Sequence, residues 1–78
     1  MNAWFARMQA KDEISELLGF CGVDIGKRIK NSHSYELPTS IGNITIRSGY
    51  DIRLNSREMG SVEMFRKHIY TMIQRGEL

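Results

Sequence analysis

The feature that most constrains the fold of this chain is a run of alternating apolar and polar residues between positions 33 and 55. Gly42-Asn43 lies between Ile41 and Ile44, a composition typical of a two-residue hairpin turn. Strict alternation on both sides of such a turn indicates strands that are buried on one face. The segment therefore predicts the start of an antiparallel sheet.

The expected register of this hairpin follows from placing the turn at Gly42-Asn43. Ile41 then pairs with Ile44, and Thr39 pairs with Ile46. This pairing brings the large side chains of both strands to one face, as a half-buried sheet requires. The residues predicted to share that face are Tyr35, Leu37, Thr39, Ile41, Ile44 and Ile46.

A third strand is expected after the connection Ser48-Gly49-Tyr50. Its register places Ile46 opposite Ile52 and Ile44 opposite Leu54, so that the apolar face continues. The other face is polar and includes an expected cross-strand pair of Arg47 with Asp51. The polar residues assigned to it are Ser34, Glu36, Thr45, Arg47, Asp51 and Arg53.

Residues 3–20 have helical spacing, but their apolar residues form two separate patches. A single straight helix would place Lys11 and Ser15 on the apolar stripe. We therefore expect a break at Lys11–Asp12, with residues 1–11 as a separate short amphipathic helix. The first patch is Trp4, Phe5 and Met8, and the second is Ile14, Leu17 and Leu18.

The C-terminal segment predicts a helix over residues 61–75. Ser61 is a suitable N-cap, and Gly76 is a suitable residue just beyond the C-cap. The apolar stripe of this helix consists of Val62, Phe65, Ile69, Met72 and Ile73.

The predicted fold is an α+β two-layer sandwich in a single domain, residues 1–78. Its element order is helix, antiparallel meander, helix, with the apolar helix faces on one face of the sheet. The meander has three strands, or four if residues 23–31 form a short edge strand; a basic loop is the alternative for that segment.

The composition points to a cytoplasmic protein. Cys21 is the single cysteine, so no intramolecular disulfide can form. No apolar run reaches the roughly 18 residues of a membrane span, and residues 1–10 are too polar for a signal peptide. No cofactor or metal motif is present, so none is expected.

The formal net charge of +2 is unevenly distributed. Residues 1–26 hold two basic and four acidic side chains, whereas residues 27–75 hold nine basic and four acidic ones. Basic side chains beside an aromatic residue suit single-stranded nucleic acid, because they neutralise phosphates while bases stack on the ring. The candidate binding residues are Lys27, Arg28, Lys30, Arg47, Tyr50 and Arg53.

Glu36 and Asp51 are expected on the same sheet face as Arg47 and Arg53. Acidic groups among the basic ones repel a long polyanion and suit a protein of mixed charge. The charge pattern therefore favours a protein partner slightly over a nucleic acid.

Trp4, Phe5 and Met8 form the most prominent apolar patch of the N-terminal segment. Trp, Phe and Met are enriched in interface cores, so the patch is a candidate interface for a partner or for a second copy of the chain. The alternative, favoured at this chain length, is that the patch folds back and covers the core.

His33 is the one residue with an enzymatic alternative. Asn31-Ser32-His33 partly resembles the Gly-Ser-His signature of the HicA-type messenger-RNA-cleaving toxins. In those toxins an aromatic residue follows three positions after the histidine, whereas here Tyr35 follows two positions after His33. That resemblance implies a ribonuclease using His33. The order α-β-β-β-α also resembles double-stranded-RNA-binding domains, but Gly60-Ser61-Val62-Glu63-Met64 lacks their lysine-rich motif.

The functional expectation is a small non-catalytic binding module, regulator or inhibitor. It would act through the open sheet face and the adjoining basic loop, with a protein partner slightly favoured. The alternatives are an RNA- or single-strand-binding protein and a minimal HicA-like ribonuclease.

Overall fold

The computed structural model describes residues 3–78 and has an α+β two-layer fold, as predicted. The sheet is a five-stranded antiparallel meander in chain order. Both helices pack on one face, the first over the second and third strands and the second over the fifth, and they touch each other. The elements are α1 Ala3–Phe20, β1 Ile29–Lys30, β2 Tyr35–Thr39, β3 Gly42–Ser48, β4 Asp51–Leu54, β5 Arg57–Gly60 and α2 Val62–Gln74.

The strand that the sequence did not predict is β5. It follows a two-residue turn, Asn55-Ser56, in which both φ angles are positive (51° and 69°). This is the backbone of a hairpin turn matched to strand twist, and it lacks the glycine that usually marks one. Because Met59 is the only large apolar residue in β5, the alternation that reveals a strand is absent.

The ambiguous segment 23–31 runs along the edge of the sheet. Ile25 forms an isolated bridge to Thr39, and β1 pairs Ile29 with Glu36. Lys27 and Arg28 lie between these two contacts and are exposed. Both readings of the segment therefore hold in part, since a two-residue edge strand follows a short basic loop.

The predicted register between β2 and β3 is wrong. The turn is formed by Ser40 and Ile41, and Thr39 pairs with Gly42. Gly42 is therefore the first residue of β3, with φ of +132°, and a Cβ there would lie 2.5 Å from the Asn55 amide nitrogen. Glycine is required by this close approach and by the backbone angle, and not by the turn itself.

Moving the turn by two residues leaves the faces unchanged. Leu37 now pairs with Ile44, and Tyr35 pairs with Ile46; all four are buried. A shift by an even number of residues preserves which face each side chain occupies. The predicted apolar face is therefore correct even though the pairing is not.

The predicted register between β3 and β4 is confirmed, with Ile46 opposite Ile52 and Ile44 opposite Leu54. The expected Arg47–Asp51 pair is wrong. A bulge between Ile46 and Ser48 places Ser48, not Arg47, opposite Asp51. Such a bulge adds one residue to its strand, which removes Arg47 from the ladder.

The predicted break in the first helix is also wrong, because α1 is continuous from Ala3 to Phe20. Lys11 is tolerated at the flank of the apolar stripe, since its side chain is largely covered and its Nζ lies 5.0 Å from the centroid of the Tyr35 ring. The Ser15 hydroxyl is buried without a hydrogen-bond partner. Ala10, Ile14 and Leu18 form the buried face of α1.

Both predicted ends of α2 are confirmed. The Ser61 hydroxyl accepts a hydrogen bond from the Met64 backbone N–H, which caps the N-terminus. Gly76 has φ of +69°, and the Glu77 N–H donates to the Met72 carbonyl, the pattern of a Schellman C-terminal motif.

The core lies between the sheet and the two helices. Within residues 3–78, neither helix combines the length and the apolar character that a membrane span requires. The buried apolar residues are Ala10, Ile14, Leu18, Val23, Tyr35, Leu37, Ile44, Ile46, Ile52, Phe65 and Ile69.

Candidate functional site

The six candidate binding residues do not lie on one surface. Lys30 pairs with Tyr35 and therefore points to the helix side of the sheet, where its Nζ lies 4.3 Å from the centroid of the Trp4 ring. Arg53 pairs with Thr45 on the opposite, open face. Lys27, Arg28 and Lys30 also flank an edge strand, where charged residues prevent pairing with other sheets.

Arg47 lies near the end of β3, and Tyr50 lies in the turn that leads to β4. Both are exposed, Arg47 at the bulge and Tyr50 in the turn. The Arg47 carbonyl accepts a hydrogen bond from the Arg7 Nε (2.9 Å), so this end of the sheet is tied to the first turns of α1.

The open sheet face is polar and internally neutralised. The Arg53 guanidinium lies between Asp51 (3.1 Å) and Glu58 (3.8 Å). Its charge is therefore shared with two carboxylates on its own sheet face. The expected basic sheet surface is not formed by these residues.

Glu36 is the centre of a second polar network on the open face. Its carboxylate accepts hydrogen bonds from the side-chain amides of Asn31 (2.6 Å) and Asn43 (3.1 Å). The Asn31 bond, and secondly the Asn43 bond, favour the ionised form and lower the pKa of Glu36. The network joins β1, β2 and β3 through one carboxylate.

Basic side chains instead gather around two aromatic rings near the N-terminal end of α1, which are tilted by 32° to each other. The rings of Trp4 and Tyr35 lie 5.0 Å apart. Arg7 and Lys30 lie within 5.5 Å of the Trp4 centroid, and Lys11 lies over Tyr35. We call these five residues the cation–aromatic cluster.

The predicted apolar patch of Trp4, Phe5 and Met8 is divided by the helix. Trp4 and Met8 pack against the buried core. Phe5 is 57% exposed on the outer side of α1. The structure thus places two of these three residues in the core-covering position.

His33 is exposed in the loop that joins β1 to β2. Within residues 3–78 its imidazole takes part in no hydrogen bond or ion pair. The five-stranded order differs from that of double-stranded-RNA-binding domains.

A groove with a volume of about 520 Å³ lies between the C-terminal half of α1 and α2. Phe20 is 94% exposed, Tyr70 is 51% exposed and Ile73 is 45% exposed. We call this feature the interhelical groove. The apolar residues that line it are Leu17, Phe20, Cys21, Tyr70 and Ile73.

The two walls of the interhelical groove carry opposite charges. Glu13 and Glu16 lie on the α1 wall, and Arg66 lies on the α2 wall. None of the three forms an ion pair within the part of the chain that is described. The Arg66 Nε is buried without a hydrogen-bond acceptor.

The sequence did not predict the interhelical groove. Ile73 was assigned to the core stripe of α2, but it lies beside the groove because the helix turns that side towards α1. Phe20 and Tyr70 fall outside every predicted stripe, and this is the signal that marks them as uncovered aromatic residues.

Comparisons with known proteins found no match: no family model fits the chain, and no curated protein or solved structure is significantly similar to it. Within residues 3–78 no group of three or more His, Cys, Asp or Glu side chains is placed to hold a metal ion.

Proposed function

We propose that this protein is a small, non-catalytic protein-binding module and that its binding surface is the interhelical groove. This keeps the predicted class of function but moves the surface from the sheet to the helices. The observation that carries the proposal is Phe20, an aromatic side chain that is 94% exposed beside an apolar groove.

Burial of Phe20 supplies the driving force. Removing a Phe side chain from water stabilises a protein or a complex by about 1.5–3 kcal/mol. Tyr70 and Ile73 adjoin it and would be covered by the same contact. Contiguous exposed apolar surface with a charged rim is characteristic of protein interaction sites.

The chemistry of the groove defines what it accepts. A polypeptide with apolar side chains covers the apolar lining, and charges of both signs match Glu13 and Glu16 on one wall and Arg66 on the other. A nucleic acid supplies negative charge only, and it would be repelled by the α1 wall.

The test compares Phe20→Glu with Phe5→Glu. Phe5 is also exposed and also on α1, but it lies outside the groove, so it is a matched control. Tagged wild type, Phe20→Glu and Phe5→Glu chains are used to capture proteins from a lysate, with and without nuclease treatment. Each captured protein is then purified and its affinity for the three chains is measured.

We expect purified partners to bind wild type and Phe5→Glu equally and to lose at least about 30-fold in affinity for Phe20→Glu, the effect of removing a binding hot spot. Partners that bind Phe20→Glu as well as wild type would place the binding surface elsewhere. Capture that disappears on nuclease treatment would favour nucleic acid.

The cation–aromatic cluster favours a second candidate function, binding of single-stranded nucleic acid. Arg7 and Lys30 have no carboxylate partner within residues 3–78, and both flank the Trp4 ring. Cations beside an aromatic ring can contact phosphates while a base stacks nearby.

This second candidate is tested by titrating a labelled single-stranded RNA into the protein at several salt concentrations. If it is correct, the double change Arg7→Gln and Lys30→Gln weakens binding and makes it less dependent on salt. The control is the double variant Arg57→Gln with Lys67→Gln, which removes the same amount of charge at two other exposed positions. Equal losses in both double variants would indicate non-specific attraction.

A further inference from the structure

We infer that the occupant of the interhelical groove is a second copy of this chain, related by a two-fold axis that runs parallel to the groove. The inference rests on the proposed function, since it names the partner of the same surface.

The shape is self-complementary. The surface carries a projecting ring, Phe20, directly beside a depression lined by Tyr70 and Ile73. In a two-fold pair each copy presents the same patch to the other, so a patch with both a projection and a depression can fill itself. Two Phe20 rings are then buried in a single contact.

The charges select the direction of the axis. An axis parallel to the groove places α1 of one copy over α2 of the other. An axis across the groove places α1 over α1, which brings Glu13 and Glu16 against their own copies. Only the parallel axis sets the acidic wall against Arg66 of the second copy, with two equivalent contacts per dimer.

Arg66 supplies a second observation. Its side chain is part-exposed on the groove wall and has no carboxylate within ion-pairing distance in residues 3–78. Glu13 lines the same stretch of the groove, so the parallel arrangement brings the Glu13 of the second copy to the level of Arg66.

A second depression continues the groove towards the N-terminal half of α1. It has a volume of about 620 Å³ and shares Glu13 and Arg66 with the first. These two residues therefore lie near the middle of the combined surface. That position makes their contact the appropriate one for a charge-exchange test.

The experiment measures the mass of the purified protein by light scattering and sedimentation over a range of concentrations. The wild type is expected to be a monomer–dimer mixture. Phe20→Glu should raise the dimer dissociation constant roughly 100-fold or more, since two rings are lost per dimer. Phe5→Glu should leave it unchanged, and circular dichroism checks that each variant is folded.

The decisive step exchanges charges between two chains. Glu13→Arg alone and Arg66→Glu alone should each dissociate the dimer, because each homodimer then faces like charges twice. Mixing the two variants should restore a heterodimer, since both contacts become attractive. Restoration on mixing cannot arise from contacts within one chain.

Cys21 provides a second readout, because it is the only cysteine and lies in the groove. The parallel axis places the two thiols at the same level, so a short bifunctional maleimide should link wild-type chains and not Phe20→Glu chains. A chain that is monomeric at every concentration, or a dimer unaffected by Phe20→Glu, overturns the inference. If the protein is a monomer and still captures other proteins through Phe20, the inference of a second copy is wrong and the proposed function stands.

Discussion

The two ends of α1 differ in how far the rest of the chain covers an aromatic side chain. Near the N-terminal end, Trp4 is covered by the Tyr35 ring and by the cations of Arg7 and Lys30. At the C-terminal end, Phe20 is 94% exposed, with Tyr70 partly exposed near it. One helix thus carries one ring that the chain itself covers and one that it leaves to solvent.

The difference follows from what lies beside each ring. β1 and β2 pass next to Trp4 and supply both a second ring and an ammonium group. At the other end α2 lies beside α1, and the groove between them stays open. A ring covered by its own chain contributes to folding, whereas an uncovered ring contributes free energy only when a partner arrives.

Substitution in the core beneath both ends of α1 is expected to destabilise the protein most. Ile46 is fully buried between the sheet and the helices. Ile46→Ala should lower the free energy of unfolding by roughly 2–5 kcal/mol through lost burial and a residual cavity. Urea denaturation measures it, and an unchanged midpoint would show that Ile46 is not a core residue.

The direct comparison is Trp4→Ala against Phe20→Ala. We expect Trp4→Ala to cost about 1–3 kcal/mol of unfolding free energy, less than a fully buried Trp because Trp4 is only half-buried. Phe20→Ala should stay within about 0.5 kcal/mol of wild type. Chemical denaturation is followed at low protein concentration, where the monomer is measured. Equal losses would remove the distinction between the two ends.

A finer prediction concerns the ammonium group on Trp4. Lys30→Gln should cost about 0.5–1 kcal/mol, the usual contribution of a cation–π contact at an exposed position. Lys27→Gln removes an exposed charge three residues away that has no such ring contact. If both variants unfold at the same denaturant concentration as wild type, Lys30 does not help to cover Trp4.

A weaker effect on stability is expected at the open sheet face, where Glu36 is hydrogen-bonded within the chain. The pKa of Glu36 is lowered by its two amide donors, so its contribution to stability is present above the ordinary carboxyl pKa. That contribution is lost as the pH falls through the lowered value. Thermal unfolding should show a small acid-dependent loss that is absent in Glu36→Gln.

Several features of the fold could be predicted from local sequence because one or two residues decide them. Ser61 and Gly76 mark the ends of α2, since a cap depends on a single side chain or a single positive φ. The apolar face of the meander follows from alternation alone. The candidate site was predicted less well, because Phe20, Tyr70 and Arg66 are far apart in sequence or lie outside any periodic stripe.

The class of fold, the buried face of the sheet and the β3–β4 register all follow from the pattern of residues along the chain. The β2–β3 register depends on tertiary structure, because an even shift leaves every side chain on its face and Gly42 must fit closely beside Asn55. Tertiary structure also decided that α1 is continuous, since Lys11 is covered by Tyr35 from another element. The interhelical groove also depends on tertiary structure, because an open surface between two helices exists only after both have packed on the sheet.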